Sequence, residues 1–288
     1  MTLDAHAEVV LVAAWPARLL SGLDGSTPVD LDAHRQQWGD LPRRLGPAPD
    51  LGLLAEIDAS GLLGRGGAGF PTGRKMKTVA AGRGRRVVVA NGCEGEPASG
   101  KDSLLLARAP HLVFDGLQLA AQGVGADEAH LVLHRGAPAI QPLRAALRQR
   151  THLDATAVEV HELPPVYVAS EESAVVHWLN GGEAKPTLVP PRPFEAGVRR
   201  RPTLINNVET LAHVATVARR GAEWFRSVGE PDEPGTLLVT VSGDVATRTV
   251  LEVPTGTTIG AVLACVGVGE RSQALLVGGY FGSWLPLS

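Results

Sequence analysis

Apolar and polar positions follow two different periods along the central part of the chain. The run "RRVVVANG" at residues 85–92 is a short, bounded apolar stretch, which is typical of a buried strand. The segment "APHLVFDGLQLAAQGVGA" at residues 109–126 has helical apolar spacing, with Pro110 near its start. The same alternation of strand and helix continues through residues 127–182. We therefore predict βαβ units and an α/β, Rossmann-like, mostly parallel sheet that helices cover on both faces.

Three flanking regions have patterns of their own. Residues 1–48 are rich in proline, glycine and aspartate, which predicts a loosely ordered extension packed on the main domain. The segment "INNVETLAHVATVARRG" is predicted as a helix that follows an extended, proline-rich loop. From residue 235 the order becomes strand, strand, helix, strand. We divide the chain into an N-terminal extension (1–48), a Rossmann-like domain (49–232) and a β-grasp domain (233–288) that ends at its boundary or is slightly truncated.

Composition and charge exclude several classes of function. The net charge is −3 and the arginines are scattered apart from residues 199–201, so no nucleic-acid partner is expected. No window approaches the ~18 to 20 apolar residues of a membrane span. The apolar run at residues 9–15 lacks a basic flank and a cleavage site, so we expect no signal peptide. These features predict a cytoplasmic protein.

Neither cysteine nor histidine spacing indicates a metal centre. The two cysteines, Cys93 and Cys265, are too few for a disulfide framework, and no CxxC spacing exists to hold zinc or an iron–sulfur cluster. The nine histidines form no helical metal-binding motif, and solvated or core-edge histidines are the preferred interpretation. We therefore predict no metal site.

The stretch "LGRGGAGFPTGRK" contains five glycines in thirteen residues and ends on two cations. Without Cβ atoms, consecutive backbone N–H groups can converge on an anion, or a flat ring can lie against the main chain. The spacing is neither that of a Walker A loop nor that of a dinucleotide fingerprint that opens a helix after a strand. Spacing alone leaves two interpretations open, a ligand site and a tight turn.

Three other corners of the predicted sheet carry polar groups. The loop "ANGCEGEP" places Asn91, Glu94 and Glu96 after a strand, where the carboxylates are either solvated or hold the polar edge of a cofactor. The corner "SEES" brings Glu171 and Glu172 to the first turn of a helix, which the helix dipole alone explains. The corner "INNVET" either binds a phosphate or only caps its helix.

Together and in this order, these motifs resemble one family. The segments "GLLGRGGAGFPTGRK", "NGCEGEP" followed by "GKD", "YVASEESAVVHWLNGG", "KPTLVPPRP" and "RPTLINNVETL" are similar to the FMN-carrying, NADH-oxidising F subunit of bacterial respiratory complex I. The same module occurs in NAD-linked hydrogenases and formate dehydrogenases, with a more distant relative in the C subunit of Rnf complexes. The resemblance covers about residues 50–288 and extends to the soluble-ligand-binding β-grasp module of that family.

The resemblance implies an FMN cofactor, NADH as hydride donor, and no side chain acting as acid or base. By this analogy FMN is surrounded by Gly64, Arg65, Gly66, Gly67, Lys75, Asn91, Glu94, Asn206, Asn207 and Thr210.

The resemblance also implies a nucleotide site next to the flavin. Phe70 would stack on adenine, and carboxylates would bond the ribose or the adenine edge. The implied residues for NADH are Phe70, Glu96, Glu171, Glu172 and Arg199. Arg199 stands where the family has an aromatic residue, and it would either stack by its guanidinium plane or belong to a solvated basic loop. With the two arginines after it, Arg199 could also meet a nucleotide phosphate, which would hint at NADPH.

Several positions depart from the family pattern. Cys93 replaces an aspartate, which removes negative charge near the flavin and would raise its potential. Ser170 replaces a glycine, and Thr78 replaces a second clamp aromatic. The cysteine-rich motif that holds the family's four-iron four-sulfur cluster does not occur in this sequence, so we expect a truncated product, a fragment or a shorter paralogue.

Three functions follow as alternatives. The first is an FMN-dependent NADH dehydrogenase subunit that passes electrons to iron–sulfur partners, either a thioredoxin-like two-iron two-sulfur subunit or a ferredoxin-like protein. Such a chain would be cytoplasmic and peripheral to the membrane through its partners. The second is a flavin-binding electron-transfer or assembly module that no longer oxidises NADH. The third is a noncatalytic binding protein, which the retained glycine-rich loop argues against.

Overall fold

A four-stranded parallel sheet organises the chain. The computed structural model describes residues 8–9, 15–23, 27–42, 46, 48–246 and 248–287. Most of the run at 9–15 and parts of the predicted extension lie outside these residues. The strands are β1 (Glu8–Val9), β2 (Val87–Asn91), β3 (Glu128–His134), β4 (Val158–Leu163), β5 (Thr203–Asn207), β6 (Thr236–Val241), β7 (Thr249–Pro254), β8 (Ala274–Val277) and β9 (Ser283–Pro286).

Helices connect and cover these strands. They are α1 (Leu31–Trp38), α2 (Leu51–Ser60), α3 (Thr72–Ala80), α4 (Lys101–Arg108), α5 (Pro110–Val124), α6 (Ile140–Gln149), α7 (Glu172–Leu179), α8 (Pro193–Ala196), α9 (Val208–Arg220), α10 (Ala222–Arg226) and α11 (Ile259–Val266). None of the described helices combines the length and apolarity needed to cross a bilayer.

The central sheet has the order β4-β3-β2-β5, and all of its neighbours are parallel. Successive residues of β2 face opposite sides: Val88 and Ala90 join the core that contains α5 and α9, while Val87 and Val89 join the core beneath α7. Burial of both faces explains why these strands are continuous apolar runs. The predicted α/β parallel-sheet class is confirmed.

Helices α5 and α9 pack against each other at very close range. A Cβ atom on Gly116 would lie 1.9 Å from the backbone oxygen of Leu211. Glycine is therefore required at this position by the approach of two backbones. The contact holds α9 in place, and the N-terminus of α9 lies at the candidate site.

The segment "INNVET" differs from its sequence prediction. The residues through Asn207 form β5, and the helix begins only at Val208. Pairing of β5 with β2 explains the difference, because each residue from Thr203 to Asn207 lies opposite a residue of β2. Tertiary pairing overrides the local helical spacing here. As a result Asn206 lies in a strand, and Asn207 both ends that strand and is the N-cap of α9.

The C-terminal region contains the predicted strand, strand, helix and strand, with a pairing that the sequence did not indicate. Strands β6 and β7 are antiparallel, β1 adds to β7 in parallel, and β8 pairs with β9. The carboxylate of Glu252 in β7 accepts hydrogen bonds from the backbone N–H groups of Arg18, Leu19 and Leu20. The N-terminal segment is thus bonded to the C-terminal sheet.

Candidate functional site

The candidate site lies at the carboxyl edge of the parallel sheet, where β2 and β5 end side by side. Asn91 and Asn207 are register partners at these ends. The glycine-rich loop reaches the same corner, because the N–H of Arg65 donates to Oγ1 of Thr210 at 2.8 Å. Lys75 Nζ donates to the backbone oxygen of Ile205 at 2.6 Å. The loop, the two strand ends and the start of α9 therefore lie together at one corner. Open parallel sheets bind their ligands at corners of this kind.

The loop is a closed turn with open space above it. The N–H of Gly64 donates to the oxygen of Phe70 at 2.9 Å. Gly67 has φ of +103° and Gly69 has φ of +59°, and a Cβ atom at either position would meet nothing within 4 Å. The backbone conformation, rather than crowding inside the protein, requires glycine here. The open space can take a flat ring or an anion.

Two polar groups near this corner are buried without partners in the described part of the chain. They are Nδ2 of Asn206, a residue that is 6% exposed, and Nε of Arg65. Burial lowers the pKa of Arg65 although the carboxylates of Glu209 and Glu233 act to raise it. An unpaired buried donor costs about 1–3 kcal/mol. A ligand with acceptor oxygens, such as a phosphate, would remove this cost.

A buried ion network connects the start of α4 to the β5–α9 corner. Lys101 Nζ lies 2.7 Å from Oδ1 of Asp102 and 2.8 Å from Oε2 of Glu209. Nδ2 of Asn207 donates to Asp102 at 2.7 Å. Burial raises the pKa of Asp102 and of Glu209, and Lys101 only partly opposes this shift. Sequence spacing did not indicate this network, although the "GKD" and "NNVET" motifs contain all of its residues.

The two carboxylates of the "CEGE" loop, Glu94 and Glu96, bind different parts of the protein. Glu94 accepts hydrogen bonds from the N–H groups of Asp102 and Ser103 and so caps α4. Glu96 accepts from the hydroxyl of Tyr167 at 2.8 Å and from the N–H of Tyr280 at 2.9 Å. Glu94 orders the helix that carries the ion network. Glu96 connects the sheet edge to the segment before β9.

Beside Glu94 lies an aromatic-lined cavity. Its volume is about 550 Å³, within the range of small-molecule sites. Tyr167 meets Tyr280 and Phe281 edge-on, with ring centroids 5.8 and 6.0 Å apart. Such rings offer stacking faces to a nucleotide base. Tyr167, Tyr280 and Phe281 were not among the predicted site residues, although two of them stand in the "GGYFG" motif. The cavity is lined by Glu94, Gly95, Pro97, His134, Pro165, Val166, Tyr167, Tyr280 and Phe281.

The remaining predicted nucleotide residues on this side have partners within the protein. Glu171 caps α7 by accepting from the N–H groups of Ser173 and Ala174. Glu172 forms an ion pair with Lys75. Phe70 is 46% exposed, and the guanidinium of Arg74 lies 5.8 Å from its ring centroid. Phe70 therefore has a free ring face, whereas Glu171 is already engaged as a helix cap.

Cys93 is buried behind the same loop. It is 5% exposed, and burial together with the charge of Asp102 raises the pKa of its thiol to about 12. The thiol is therefore protonated at neutral pH and adds no charge to the site.

Arg199 does not join the other candidate nucleotide residues. Its Nη1 lies 3.1 Å from Oε2 of Glu128, and its N–H donates to Oδ1 of Asn180. Glu128 begins β3, so this contact lies at the amino edge of the sheet, opposite Asn91 and Asn207. The reason is topological: the chain must return to that edge before it enters β5. The alternative of an exposed basic loop fits this position.

Residues 57–216 match the family model described as the Nuo51 FMN-binding domain. The chain belongs to this family. The match covers the glycine-rich loop, the central sheet and most of α9.

Curated relatives of the family are similar along most of the chain. The F subunit of the NADH-quinone oxidoreductase of Streptomyces coelicolor is 36% identical over 273 residues, which are 90% of this chain and 59% of the relative. The alpha subunit of the NAD-reducing hydrogenase HoxS of Cupriavidus necator is 36% identical over 252 residues, which are 82% of this chain and 41% of the relative. The chain thus spans less than two thirds of both relatives.

A solved structure has the same fold. The crystal structure of an NAD⁺-reducing [NiFe]-hydrogenase in the air-oxidised state superposes with a TM-score of 0.85 at 35% identity. The match covers 98% of this chain and 48% of the hydrogenase chain.

Proposed function

We propose that the chain binds FMN at the carboxyl edge of its parallel sheet and uses it to oxidise NADH. The observation that carries this proposal is the glycine-rich loop itself: it is open at Gly67 and Gly69, and Arg65 in the same loop bonds to Thr210 at the start of α9. Nδ2 of Asn206 is buried without a partner at the end of the neighbouring strand. Family membership supports FMN as the ligand, since the matching domain is described by that cofactor.

The residues at this corner fit the parts of a flavin mononucleotide. Asn206 and the buried guanidinium of Arg65 supply donors for a phosphate, and the start of α9 adds its positive dipole end. The backbone at Gly66 and Gly67 lets a ring approach closely. Lys75 adds a cation whose charge Glu172 partly balances. Asn91 and Asn207 lie side by side at the strand ends. Nδ2 of Asn91 already donates to the oxygen of Ser170 and Nδ2 of Asn207 to Asp102, so each would bond the cofactor through its second amide N–H.

For NADH we propose the adjoining space between Phe70 and the aromatic cavity. Phe70 would stack on the adenine, and Glu96 would accept hydrogen bonds from a ribose. Tyr167 orients Glu96 through its hydroxyl. Bound FMN would supply the redox chemistry, accepting a hydride from NADH and releasing electrons to an acceptor. The protein's share is to align the two rings and to exclude water.

Electrons would leave to iron–sulfur partners, either a thioredoxin-like two-iron two-sulfur subunit or a ferredoxin-like protein. The relatives are subunits of NADH-quinone oxidoreductase and of NAD-reducing hydrogenase, which supports assembly with further subunits. We propose a cytoplasmic position, peripheral to the membrane, that partner subunits provide.

A second candidate is a flavin module that no longer oxidises NADH. The specific observation in its favour is the position of Arg199 at the amino edge, with Thr78 bonded to Arg74 in place of a second aromatic clamp. Phe70 would then stack on only one side of the NADH adenine, unless an aromatic ring of the cavity stacks on the other side.

An anaerobic titration distinguishes the candidates. FMN-reconstituted protein is titrated with NADH and, in parallel, with NADPH, while the flavin absorbance at about 450 nm is followed. We expect bleaching at near-stoichiometric NADH. Bound flavin that stays oxidised with both nucleotides would favour the second candidate. Failure to bind FMN would remove both and leave a noncatalytic binding protein.

A further inference from the structure

Three side chains that bind metals well meet on one face of the sheet, away from the carboxyl edge. His130 lies on β3, and Glu159 and His161 lie on β4. His130 pairs in register with Glu159, and residues two apart on a strand share a face, so the three side chains converge. The spacing of histidines along the sequence does not indicate such a group, because its members come from two strands.

The distances among the three ligand atoms suit a small cation. His130 Nδ1 lies 3.0 Å from His161 Nε2, and Oε2 of Glu159 lies 3.7 and 3.6 Å from these two nitrogens. A tetrahedral zinc ion with bonds of about 2.0–2.1 Å holds its ligand atoms about 3.3–3.4 Å apart. The observed triangle therefore needs only small side-chain adjustments to receive the ion.

A fourth residue prepares His130 for this role. His130 Nε2 lies 2.8 Å from Oε1 of Glu128, so its proton is held on Nε2 and the Nδ1 lone pair points towards His161. The guanidinium of Arg201 forms an ion pair with the other carboxylate oxygen of Glu128, which holds this carboxylate in place. An ionised carboxylate behind a metal-binding histidine is the usual arrangement in zinc sites.

The exposure of the three side chains also favours binding. His130 is 2% exposed, whereas the side chains of His161 and Glu159 are 28% and 64% exposed. An ion can therefore reach the triad from solvent on the side of β4, where a water can fill the fourth position.

We propose that His130, Glu159 and His161 bind one zinc-type divalent cation, with Glu128 orienting His130. The ion would join the edge strand β4 to β3 and so stabilise that side of the sheet. This site is independent of the flavin site, because its residues face neither the glycine-rich loop nor the aromatic cavity. The result of the metal-binding test therefore does not depend on the result of the NADH titration.

Direct metal binding tests the proposal. The whole chain is stripped with a chelator, dialysed, and titrated with Zn²⁺ by calorimetry, while Co²⁺ in a parallel sample reports a tetrahedral site by its visible spectrum. We expect one ion per chain and a higher Tm in the presence of Zn²⁺. His161→Ala and Glu159→Ala change partly exposed side chains, so both variants should fold, lose more than tenfold in Zn²⁺ affinity and lose the rise in Tm.

Two further variants complete the test. His152→Ala changes an exposed histidine outside the group and should bind Zn²⁺ like the unmodified protein. Glu128→Gln keeps the three ligands but removes the charge behind His130, and an affinity loss of about 10- to 100-fold is expected. Absence of stoichiometric binding to the folded, stripped protein would overturn the proposal. Stoichiometric binding that survives both His161→Ala and Glu159→Ala would overturn it equally.

Discussion

Two buried charge clusters serve different purposes in this molecule. In the first, the carboxylate of Asp115 on α5 is shared by His34, Arg150 and Arg219, which join it to α1, the end of α6 and α9. In the second, the single cation of Lys101 lies between the carboxylates of Asp102 and Glu209, at the starts of α4 and α9. In the first cluster two arginines share the carboxylate of Asp115, and Arg150 also pairs with Asp154; in the second, two carboxylates share one lysine.

The difference appears in the pKa values. Burial alone would raise the pKa of Asp115, but the hydrogen bond from His34 and the charges of Arg150 and Arg219 hold it well below its usual range. Burial raises the pKa of Asp102 and Glu209 despite Lys101. The Asp115 cluster is thus complete within the fold and contributes stability. The Lys101 cluster lies at a corner where Nδ2 of Asn206 and Nε of Arg65 still lack partners, and a bound ligand would supply them.

The largest effect is expected from breaking the first cluster. Asp115→Ala leaves two arginines, with side chains only 2% and 5% exposed, without their shared carboxylate. We expect the free energy of unfolding to fall by about 3–5 kcal/mol, measured by urea denaturation. Asp40→Ala, which breaks the exposed pair with Arg35, is the control and should cost less than about 1 kcal/mol. If Asp115→Ala and Asp40→Ala lost equal free energies of unfolding, the buried cluster would not be the stabilising one.

The pH dependence of stability in the unmodified protein and in Asp115→Ala sharpens this prediction. The pKa of Asp115 is lower in the folded state than in the unfolded chain. The contribution of Asp115 to the free energy of unfolding is therefore fully present above the unfolded pKa of about 3.9. The contribution is lost as the pH falls through the lower, folded value. The stability gap between the unmodified protein and Asp115→Ala should therefore be constant near neutral pH and shrink below about pH 4.

An intermediate effect is expected at the glycine-rich loop. Gly67→Val introduces a branched side chain at a positive φ and fills the space over the loop, so FMN affinity should fall by about 100-fold or more, measured by flavin fluorescence. Gly84→Val is the matched control. Gly84 also has a positive φ with no atom near its Cβ position, but it lies before β2 at the amino edge. If both variants bind FMN equally well, the loop is not the flavin site.

The smallest effect is expected at the amino edge. Arg199→Ala removes an exposed partner of Glu128 and should leave the KM for NADH within about twofold. Phe70→Ala removes an exposed stacking face at the carboxyl edge and should raise the KM several-fold, up to about tenfold. Steady-state kinetics with an artificial acceptor provides both values. A comparable rise in both variants would mean that the nucleotide extends to the amino edge.

Much of the central sheet could be predicted from local pattern. The apolar run before Asn91 forms β2, and the spacing in residues 109–126 yields α5. Such segments have one period and no competing signal. The "INNVET" segment has helical spacing as well as strand neighbours, and only its pairing with β2 decides in favour of β5. Helix α4 was missed, because its eight residues follow a loop and depend on the cap from Glu94.

Local patterns in the chain were enough to establish the fold class, the family and the motifs that reach the carboxyl edge. These depend on short-range spacing and on strand ends, which a parallel sheet always brings to one side. Which groups meet in space became clear only from the folded structure. It separated Arg199 from Phe70, joined Lys101 to Glu209, and brought His130 to His161. Burial and the register between distant strands set these contacts, and the spacing within a single segment specifies neither of them.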